Sequence, residues 1–331
     1  MIKAVLCREY GPPESLTFEE VTEHQPGAGQ VVVAVHACAV NFPDTLIIQG
    51  KYQFKPEMPF APGGEVAGVI KAVGDGVEGY AVGDRVIAIP GWGGFSEEVV
   101  VRQEKLIPLP DGIPMDEAAA LVITYGTTHY ALKDRAALQP GETLLVLGAA
   151  GGTGVAAIEL GKVMGARVIA AASSEEKLAF CRQHGADDTI NYTQENLRER
   201  LRELTDNKGV DVVYDPVGGE YTEPALRSLA WKGRLLVIGF TAGDIPRPPL
   251  NLPLLKGASI VGVFYGAFQV QEPERFRALM AELLGWLQEG RIRPSITTRY
   301  PLDQAPQALR DILDRRVTGK VVVQTGLMAS D

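Results

Sequence analysis

Hydrophobic and polar positions follow two different patterns along this chain. Over residues 1–125, short apolar runs rich in Val and Ala are bounded by Gly and Pro, as at Gln30–Ala39 and Gly64–Val73. Apolar runs of this length between turn-forming residues are typical of strands. The first third of the chain is therefore predicted to be mainly β, with dense turns over Pro56–Gly64 and Val73–Asp84.

From about Thr143, apolar strands alternate with turns and helices. The predicted strands are Thr143–Leu147, Arg167–Ala172, Asp188–Asn191, Asp211–Asp215, Arg234–Gly239 and Ser259–Val263. Strands joined in this way by helices predict a doubly wound parallel sheet, and hence an α/β fold class. After Glu272 we expect a long helix, and then a tail of strands and a helix that returns to complete the first domain.

The turn after the strand Thr143–Leu147 is the most specific signal in the sequence. It carries Gly148, Gly151 and Gly152, and then Thr153 and Gly154 open a helix. Gly148 allows a tight turn, Gly151 and Gly152 let the backbone approach a pyrophosphate, and Gly154 permits close packing of helix on strand. We expect these residues to bind a dinucleotide; the alternative is a flexible glycine turn without a ligand.

The end of the second strand of this region bears on which dinucleotide is bound. Ser173 and Ser174 stand where NAD-binding sites usually place an acidic residue, and Lys177 follows one turn later. Two hydroxyl donors and one ammonium suit a 2′-phosphate, which favours NADPH over NADH. In the alternative interpretation, Ser174 is only a helix N-cap and Lys177 a solvated residue, and Glu175 and Glu176 oppose a phosphate here.

Composition and charge narrow the possible partners. The 331 residues suggest two domains, and 32 Lys+Arg against 41 Asp+Glu give a net charge of −9. We expect no nucleic-acid partner, although a local basic patch can persist in an acidic chain. Cys7, Cys38 and Cys181 are scattered, which argues against a disulfide framework and a structural zinc site. No run of 18 apolar residues or signal peptide is present, so we expect a cytoplasmic protein without a membrane span.

Several short motifs together resemble the zinc-independent quinone oxidoreductases, the zeta-crystallin-like branch of the medium-chain dehydrogenase/reductase superfamily. The motifs cover essentially the whole chain, in the expected order: Asn41-Phe42-Pro43-Asp44, Gly50-Lys51-Tyr52, Pro62–Gly68, Val73–Val77, Gly83–Val86, Gly151–Gly154 and Gly319-Lys320. The resemblance implies a GroES-like β-barrel catalytic domain formed by residues 1–125 and 266–331. It also implies a Rossmann NADPH-binding domain formed by residues 126–265.

The same resemblance implies roles for individual residues. Asn41, Asp44 and Tyr52 are expected beside the nicotinamide and substrate, with Tyr52 donating a proton or a hydrogen bond to the developing oxyanion. Tyr52 packing as a loop aromatic, and Asn41 and Asp44 acting as local caps, are the alternatives. Thr127 matches a family position near the nicotinamide. Further cofactor contacts are expected from two residues, namely Tyr192 and Lys320.

The resemblance also bears on the reaction. Zinc alcohol dehydrogenases of the superfamily carry a Cys near the position of Asn41 and a His before the Glu, where this chain has Gly64. Without thiolate and imidazole ligands, a zinc-activated alcohol is not expected. We expect hydride transfer from NADPH to a quinone, with reduction of enones or enoyl thioesters as an alternative. A third possibility is a cofactor-binding structural or regulatory protein with little turnover.

The residues that follow the last two strands of the predicted sheet are also candidates for cofactor binding. Gly239, Phe264 and Tyr265 lie at the carboxyl ends of these strands, where such sheets bind ligands, so we expect them at the cofactor. The apolar segment Ser259–Phe264 is a candidate edge strand. Because relatives pair through this edge, we expect a homodimer.

Overall fold

A computed structural model of the chain describes residues 1–327. The chain divides into two compact units, one formed by residues 1–123 with the chain from Pro294 onward, and one formed by residues 124–293. The strands are β1 (Ile2–Leu6), β2 (Thr17–Val21), β3 (Gln30–Val40), β4 (Glu65–Val73), β5 (Arg85–Ala88), β6 (Glu98–Arg102), β7 (Leu106–Pro108), β8 (Thr143–Leu147), β9 (Arg167–Ala172), β10 (Asp188–Asn191), β11 (Val210–Asp215), β12 (Leu229–Val237), β13 (Ser259–Gly262), β14 (Ile296–Pro301) and β15 (Lys320–Gln324).

The α-helices lie mostly in the second unit. They are α1 (Phe42–Ile47), α2 (Met115–Ala119), α3 (Val122–His129), α4 (Gly152–Val163), α5 (Glu175–Gln183), α6 (Leu197–Leu204), α7 (Thr222–Arg227), α8 (Asn251–Lys256), α9 (Tyr265–Gln271), α10 (Pro273–Gln288) and α11 (Ala305–Leu313). Within residues 1–327, every helix falls short of the length and apolar character that crossing a bilayer requires.

The first unit is organised around β3, the longest strand. β3 pairs antiparallel with β4, β6 and β15, in a sheet whose order is β14-β15-β3-β4-β5-β7. Its buried valines, including Val33 and Val35, pack with Phe95 and Ile70 in the core of this unit. Two registers matter for the site: Ala39 lies opposite Glu65 on β4, and Val40 lies opposite Val321 on β15.

The second unit contains a six-stranded sheet in the order β10-β9-β8-β11-β12-β13, in which every strand pair is parallel. Strand order therefore reverses beside β8, which is the arrangement of a doubly wound fold. Leu145, Leu147, Ile169 and Val213 are buried in its core. The predicted α/β class, with a β-rich unit and a doubly wound parallel sheet, is confirmed.

The second unit extends further along the chain than the sequence predicts. We expected residues 266–331 to belong to the first domain, but residues 266–293 lie in the second unit. Phe268 of α9 stacks on Tyr130 with ring centroids 4.1 Å apart, and Glu282 of α10 bonds to His129 at 2.9 Å. These contacts hold α9 and α10 in the second unit, so the return begins at Pro294. The end of the predicted segment, residues 328–331, lies outside the described residues.

Candidate functional site

Strand register brings three buried polar side chains together in the first unit. Asn41 follows β3, Glu65 begins β4 on one side of it, and Lys320 begins β15 on the other. Glu65 is fully buried, and Asn41 and Lys320 are nearly so. Because charged groups are buried at a high cost unless they are paired, this trio is expected to form a complete hydrogen-bond network.

The network engages the Asn41 amide at both ends. Asn41 Nδ2 donates to Glu65 Oε1 at 2.8 Å and to the Ala39 carbonyl at 3.3 Å, while Asn41 Oδ1 accepts from Lys320 Nζ at 2.7 Å. Lys320 Nζ also donates to the Val40 carbonyl at 3.2 Å and to Glu65 Oε1 at 3.4 Å. The other Glu65 oxygen accepts from the Ile123 amide at 2.8 Å. Lys320 therefore uses its three donors within this unit.

Asp44 holds the start of α1 against the neighbouring loop. Its carboxylate accepts from the Asn41 amide at 2.7 Å and from the Gly63 amide at 3.2 Å. The Asn41–Asp44 pair has the spacing of an N-terminal helix cap, which is the local role left open by the sequence. The same bonds place the carboxylate beside the buried trio, so the cap and the candidate site share residues.

Burial controls the ionisation of the two carboxyl groups. Burial raises the pKa of Asp44 to about 7, against the opposing effects of the bond from the Asn41 amide and the charge of Lys320. Burial also raises the pKa of Glu65, although Lys320 and the Asn41 amide favour its charged form. The first unit thus holds a carboxyl group that changes charge near neutral pH.

Tyr52 lies next to this network on the loop after α1. Its ring is half-buried against the core of the first unit and meets Phe54 edge-on, with centroids 5.8 Å apart. Burial, and secondarily the charge of Asp44, raises the pKa of its phenol, so the group is a proton donor at neutral pH. Both the packing role and the donor role left open by the sequence are compatible with this position.

Cys38 packs as an apolar side chain. It is fully buried, and a Cβ built on Gly63 or Gly94 would lie 2.7 Å from its Sγ. Burial raises the pKa of this thiol well above its usual range, which disfavours the thiolate that a metal would need. Across residues 1–327, no three His, Cys, Asp or Glu side chains converge as a metal-binding group.

The glycine turn of the second unit has the geometry expected of a phosphate site. β8 ends at Leu147, Gly148 adopts a φ of 59°, and α4 begins at Gly152. Among residues 1–327, the amides of Gly152, Thr153 and Gly154 have no hydrogen-bond partner, because they form the first turn of α4. Three unpaired amides and the positive end of a helix dipole are together suited to an anion.

The glycines of this turn are required for different reasons. A Cβ on Gly154 would lie 2.5 Å from the Gly148 carbonyl oxygen and 2.6 Å from that of Ala149, so this glycine lets the helix approach the turn. A Cβ on Gly151 would meet only the Gly148 oxygen, at an ordinary 3.5 Å. Packing within the protein therefore does not explain why position 151 lacks a side chain, whereas the close approach of a ligand would.

A buried polar pair supports the start of α4 from behind. Thr128 Oγ1 lies 2.9 Å from the Tyr214 hydroxyl and 3.4 Å from the main-chain oxygen of Thr153. Thr128 and Tyr214 are both fully buried. The expected cofactor residue Thr127, on the same helix, is half-buried. α3 therefore holds the turn in place through Thr128 and leaves Thr127 partly accessible.

The residues after β9 form a small cluster of donors. Ser174 caps α5 by accepting the Lys177 amide at 3.3 Å, as in the alternative interpretation. The Lys177 side chain turns back, and its Nζ donates to Ser173 Oγ at 3.4 Å. The cluster thus brings Ser173, Ser174 and Lys177 together at the carboxyl end of β9.

Tyr192 lies beside this cluster, at the end of β10. Its amide donates to the Ala172 carbonyl at 3.2 Å, and its ring packs on Tyr221 with centroids 4.4 Å apart. Gly239 follows β12 and donates to the Asp215 carbonyl at 3.4 Å. Phe264 is 60% exposed just after β13. These residues, like Gly148, lie at the carboxyl edge of the sheet, as expected.

Tyr265 points elsewhere. Only 6% of it is exposed, and its hydroxyl lies 4.0 Å from Met280 Sδ and so close to Gly126 that a Cβ there would clash at 1.9 Å. Its ring belongs to a cluster with Tyr130, Phe268 and Phe276. The structure thus uses the Tyr265 side chain to pack α9 and α10 against α3.

Two elements of the site were not selected from the sequence. In the sequence, Glu65 was identified only as part of the motif Pro62–Gly68. A carboxylate at the start of an apolar strand nevertheless indicates that a buried partner neutralises it. Thr128 and Tyr214 were missed because nothing local distinguishes a polar residue behind a turn from one on a surface. Their pairing depends on contacts between α3 and β11, which are far apart in sequence.

Comparisons with known proteins agree with both units. A family model described as the alcohol dehydrogenase GroES-like domain matches residues 27–111, which confirms the predicted GroES-like domain. A second, described as zinc-binding dehydrogenase, matches residues 152–285. The quinone oxidoreductase-like protein 2 homolog of Nematostella vectensis is 42% identical over 98% of this chain and 89% of its own length.

Solved structures are similar over nearly the whole chain. The Escherichia coli quinone oxidoreductase complexed with NADPH is 30% identical, with a TM-score of 0.90 over 97% of this chain and 99% of that one. The CurK enoyl reductase is 29% identical, with a TM-score of 0.87 over 98% of this chain and 99% of that one. The likeness therefore extends to reductases of two substrate classes.

Proposed function

We propose that this chain, which belongs to the quinone oxidoreductase family of the medium-chain dehydrogenase/reductase superfamily, reduces a quinone with hydride from NADPH and without zinc. The observation that carries the proposal is the state of Asn41, where zinc dehydrogenases of the superfamily carry a cysteine. Its amide oxygen accepts from Lys320 and its nitrogen donates to Glu65, so this position holds a neutral amide engaged with the protein instead of the thiolate that binds zinc.

The second unit supplies the cofactor site in this proposal. NADPH, when bound, supplies the hydride. The unpaired amides of Gly152, Thr153 and Gly154 would hold its pyrophosphate, with Gly148 and Gly151 keeping the turn open. Ser173, Ser174 and Lys177 would receive the 2′-phosphate. Further contacts are proposed from five of the remaining residues expected at the cofactor, namely Asn41, Thr127, Tyr192, Gly239 and Phe264. The other two expected residues, Tyr265 and Lys320, are engaged within the protein.

The polar atoms of Lys320 and Tyr265 already contact other residues of the protein. A bond from Lys320 Nζ to the cofactor would displace one of its three present acceptors, Asn41, Glu65 or the Val40 carbonyl. A bond from the Tyr265 hydroxyl would draw it away from Gly126 and Met280. Their proposed contribution is therefore to position neighbouring residues, Asn41 in the first case and α3 in the second.

The acceptor follows from the same chemistry. A site that offers hydrogen bonds rather than a Lewis acid requires an acceptor that is already electrophilic, and a quinone meets this condition. Among residues 1–327 the Tyr52 hydroxyl has no hydrogen-bond partner, so it is available as the donor to the developing oxyanion. Replacing Tyr52 by Phe should then lower turnover with little change in NADPH affinity, and unchanged turnover would remove Tyr52 from the reaction.

A second candidate function is reduction of the C=C bond of an enone or enoyl thioester. It is favoured by the likeness to the CurK enoyl reductase, and it needs the same hydride and the same hydrogen-bond donor. The two candidates differ only in the acceptor. A cofactor-binding protein without significant turnover is the third possibility.

One assay separates these possibilities. With purified protein, NADPH oxidation is measured with a simple quinone, a 2-enone and an enoyl-CoA as acceptors. The reduction of NADP⁺ is measured separately with a primary alcohol. The proposal predicts turnover with the quinone. Preference for the enone or enoyl-CoA would favour the second candidate, and tight NADPH binding without turnover the third. Alcohol oxidation that is lost on chelation would contradict zinc independence.

We also propose a homodimer that pairs through Ser259–Phe264. β13 lies at the edge of the six-stranded sheet, and Ile260 on it is 39% exposed. Exposed apolar side chains nearby include Leu254 and Leu255, each at least 70% exposed. A second copy adding its own β13 would satisfy the strand edge and cover these side chains. The three buried free cysteines are consistent with the cytoplasmic setting that we propose.

A further inference from the structure

A basic pocket lies in the second unit at the amino ends of the sheet's strands, whereas the glycine turn lies at their carboxyl ends. It is formed by α6, the turn into β11, the end of α7, the start of β12 and the end of α8. Gly209 immediately precedes β11, and Leu229 begins β12, so the pocket lies at the amino ends of these strands. The six residues of β11 separate the amino ends of the strands from their carboxyl ends by about 20 Å. The pocket is therefore distinct from the proposed cofactor site.

The lining of the pocket is strongly cationic. Five of its side chains are positively charged and no Asp or Glu belongs to it, although the whole chain has a net charge of −9. The cationic residues are Arg198, Arg202, Lys208, Arg227 and Lys256. Like charges at close range repel one another, so such a cluster indicates an anionic partner.

Most of these charges are not neutralised by the protein. Among residues 1–327, Arg198, Arg202 and Lys208 have no carboxylate partner; Arg202 Nε donates only to Asn207 Oδ1, at 3.1 Å. Lys256 Nζ donates to the main-chain oxygens of Arg227, at 2.7 Å, and Leu229. Of the five cationic side chains, Arg227 alone has a carboxylate partner within the described residues, and that partner is Glu223.

Local structure fixes these side chains on one surface. Arg198, Arg202 and Thr205 lie four and three residues apart along α6 and its end, and therefore on one side of the helix. Thr205 Oγ1 accepts the Gly209 amide at 3.0 Å, which closes the turn. A Cβ on Gly209 would lie 2.6 Å from the Ser228 oxygen, so glycine is needed for this close approach.

The volume of the pocket limits the size of the ligand. It is about 190 Å³, the space of about six water molecules and less than that of typical cofactor sites. Guanidinium groups bind phosphate oxygens in pairs, and lysines add compact charges. We propose that this pocket binds a small phosphorylated anion: free phosphate, pyrophosphate or the terminal phosphoryl group of a small metabolite.

Calorimetric titration with inorganic pyrophosphate tests the proposal. The full chain is titrated at constant ionic strength, with and without NADPH, and compared with the double variant Arg198→Glu/Lys208→Glu. A matched control, Lys55→Glu/Arg277→Glu, makes the same charge change at two exposed positions outside the pocket. The variant Arg198→Gln/Lys208→Gln removes the charges without reversing them, and circular dichroism checks the fold of each protein.

The expected result is saturable binding of one pyrophosphate, unchanged by NADPH and by the control substitutions. Both pocket variants should bind at least about tenfold more weakly, since two charged contacts are lost. Equal binding by the parent and the pocket variants would overturn the proposal, as would displacement of pyrophosphate by NADPH. Binding to phosphatidylcholine vesicles containing phosphatidic acid, without binding of free phosphate or pyrophosphate, would instead assign the pocket to a lipid headgroup and also overturn it.

Discussion

At the residue scale, the first unit depends on buried polar groups that satisfy one another. Asn41, Glu65 and Lys320 form a network in which each group has a partner, and Asp44 is bonded to two amides beside it. Such networks are stable only when complete, because an unpaired buried charge is costly. The sequence identified Asn41, Asp44 and Lys320 by resemblance. It did not reveal that Lys320 serves Asn41, because their contact depends on the register of β15 against β3.

Asp44 should make stability depend on pH in a specific direction. Its pKa in the folded chain is about 7, above the value of an exposed aspartate, so folding favours its protonated form. The contribution of Asp44 to the free energy of unfolding is therefore largest below about pH 4. It is lost as pH rises to about 7, by at most about 1.4 kcal/mol per pH unit. The variant Asp44→Asn should lack this component.

Urea unfolding across this pH range measures the effect. The free-energy difference between parent and Asp44→Asn should decline as pH rises and level off above about pH 7. Asp75→Asn, the same change at an exposed aspartate outside the network, serves as the control. A constant difference for Asp44→Asn would show that this carboxyl group ionises normally.

At the element scale, the strand-turn-helix unit from β8 to α4 was the most predictable part of the chain. The glycine spacing specifies both the tight turn and the close packing of α4, and these are local requirements. The ends of β9 were likewise placed correctly, and Ser174 caps α5 as in the alternative interpretation. Tyr265 was located correctly in sequence, but the direction of its side chain depends on α3 and α10.

Alanine substitutions in the turn should separate folding from binding. Gly151→Ala adds a methyl group with only an ordinary protein contact, so the free energy of unfolding should change by less than about 0.5 kcal/mol. NADPH affinity should nevertheless fall at least about tenfold, because the methyl group occupies the pyrophosphate approach. Gly154→Ala should destabilise the protein by about 1–3 kcal/mol, since its methyl group meets two carbonyl oxygens.

Urea unfolding and NADPH fluorescence titration measure the two quantities. Normal NADPH affinity in Gly151→Ala would show that the turn does not hold the pyrophosphate. Normal stability in Gly154→Ala would show that α4 does not need its close approach to the turn.

The start of α5 should determine cofactor preference. Lys177→Glu places a negative charge beside Ser173, so it should weaken NADPH binding at least about tenfold and leave NADH binding nearly unchanged. Arg182→Glu, the same charge change later in α5, is the control. Dissociation constants for both cofactors measure the effect. Equal weakening of NADPH and NADH would rule out a 2′-phosphate contact at Lys177.

At the scale of the whole molecule, the division into two units was predicted, but one boundary was placed too early. The periodicity of α10 predicts a helix without indicating which unit it packs against. His129 and Tyr130 settle this through contacts with Glu282 and Phe268. The basic pocket was also beyond sequence reasoning, because α6, the turn before β11, α7 and α8 contribute its charges from distant positions.

The proposed dimer gives a prediction for the assembled protein. Ile260→Lys places a charge on the exposed edge of β13 and should shift the protein from dimer to monomer. Val82→Lys, at an exposed position in the first unit, is the control. Light scattering coupled to size-exclusion chromatography measures the mass at several concentrations. A dimer that persists in Ile260→Lys would place the interface elsewhere.

The central claim is reduction of a quinone by NADPH without a metal, and one rate measures it directly. Protein dialysed against a strong chelator, with its zinc content determined, is assayed for NADPH oxidation with a simple quinone. The account predicts full activity at negligible zinc content and no gain when zinc is restored. Activity that disappears with the zinc and returns with it would contradict the account.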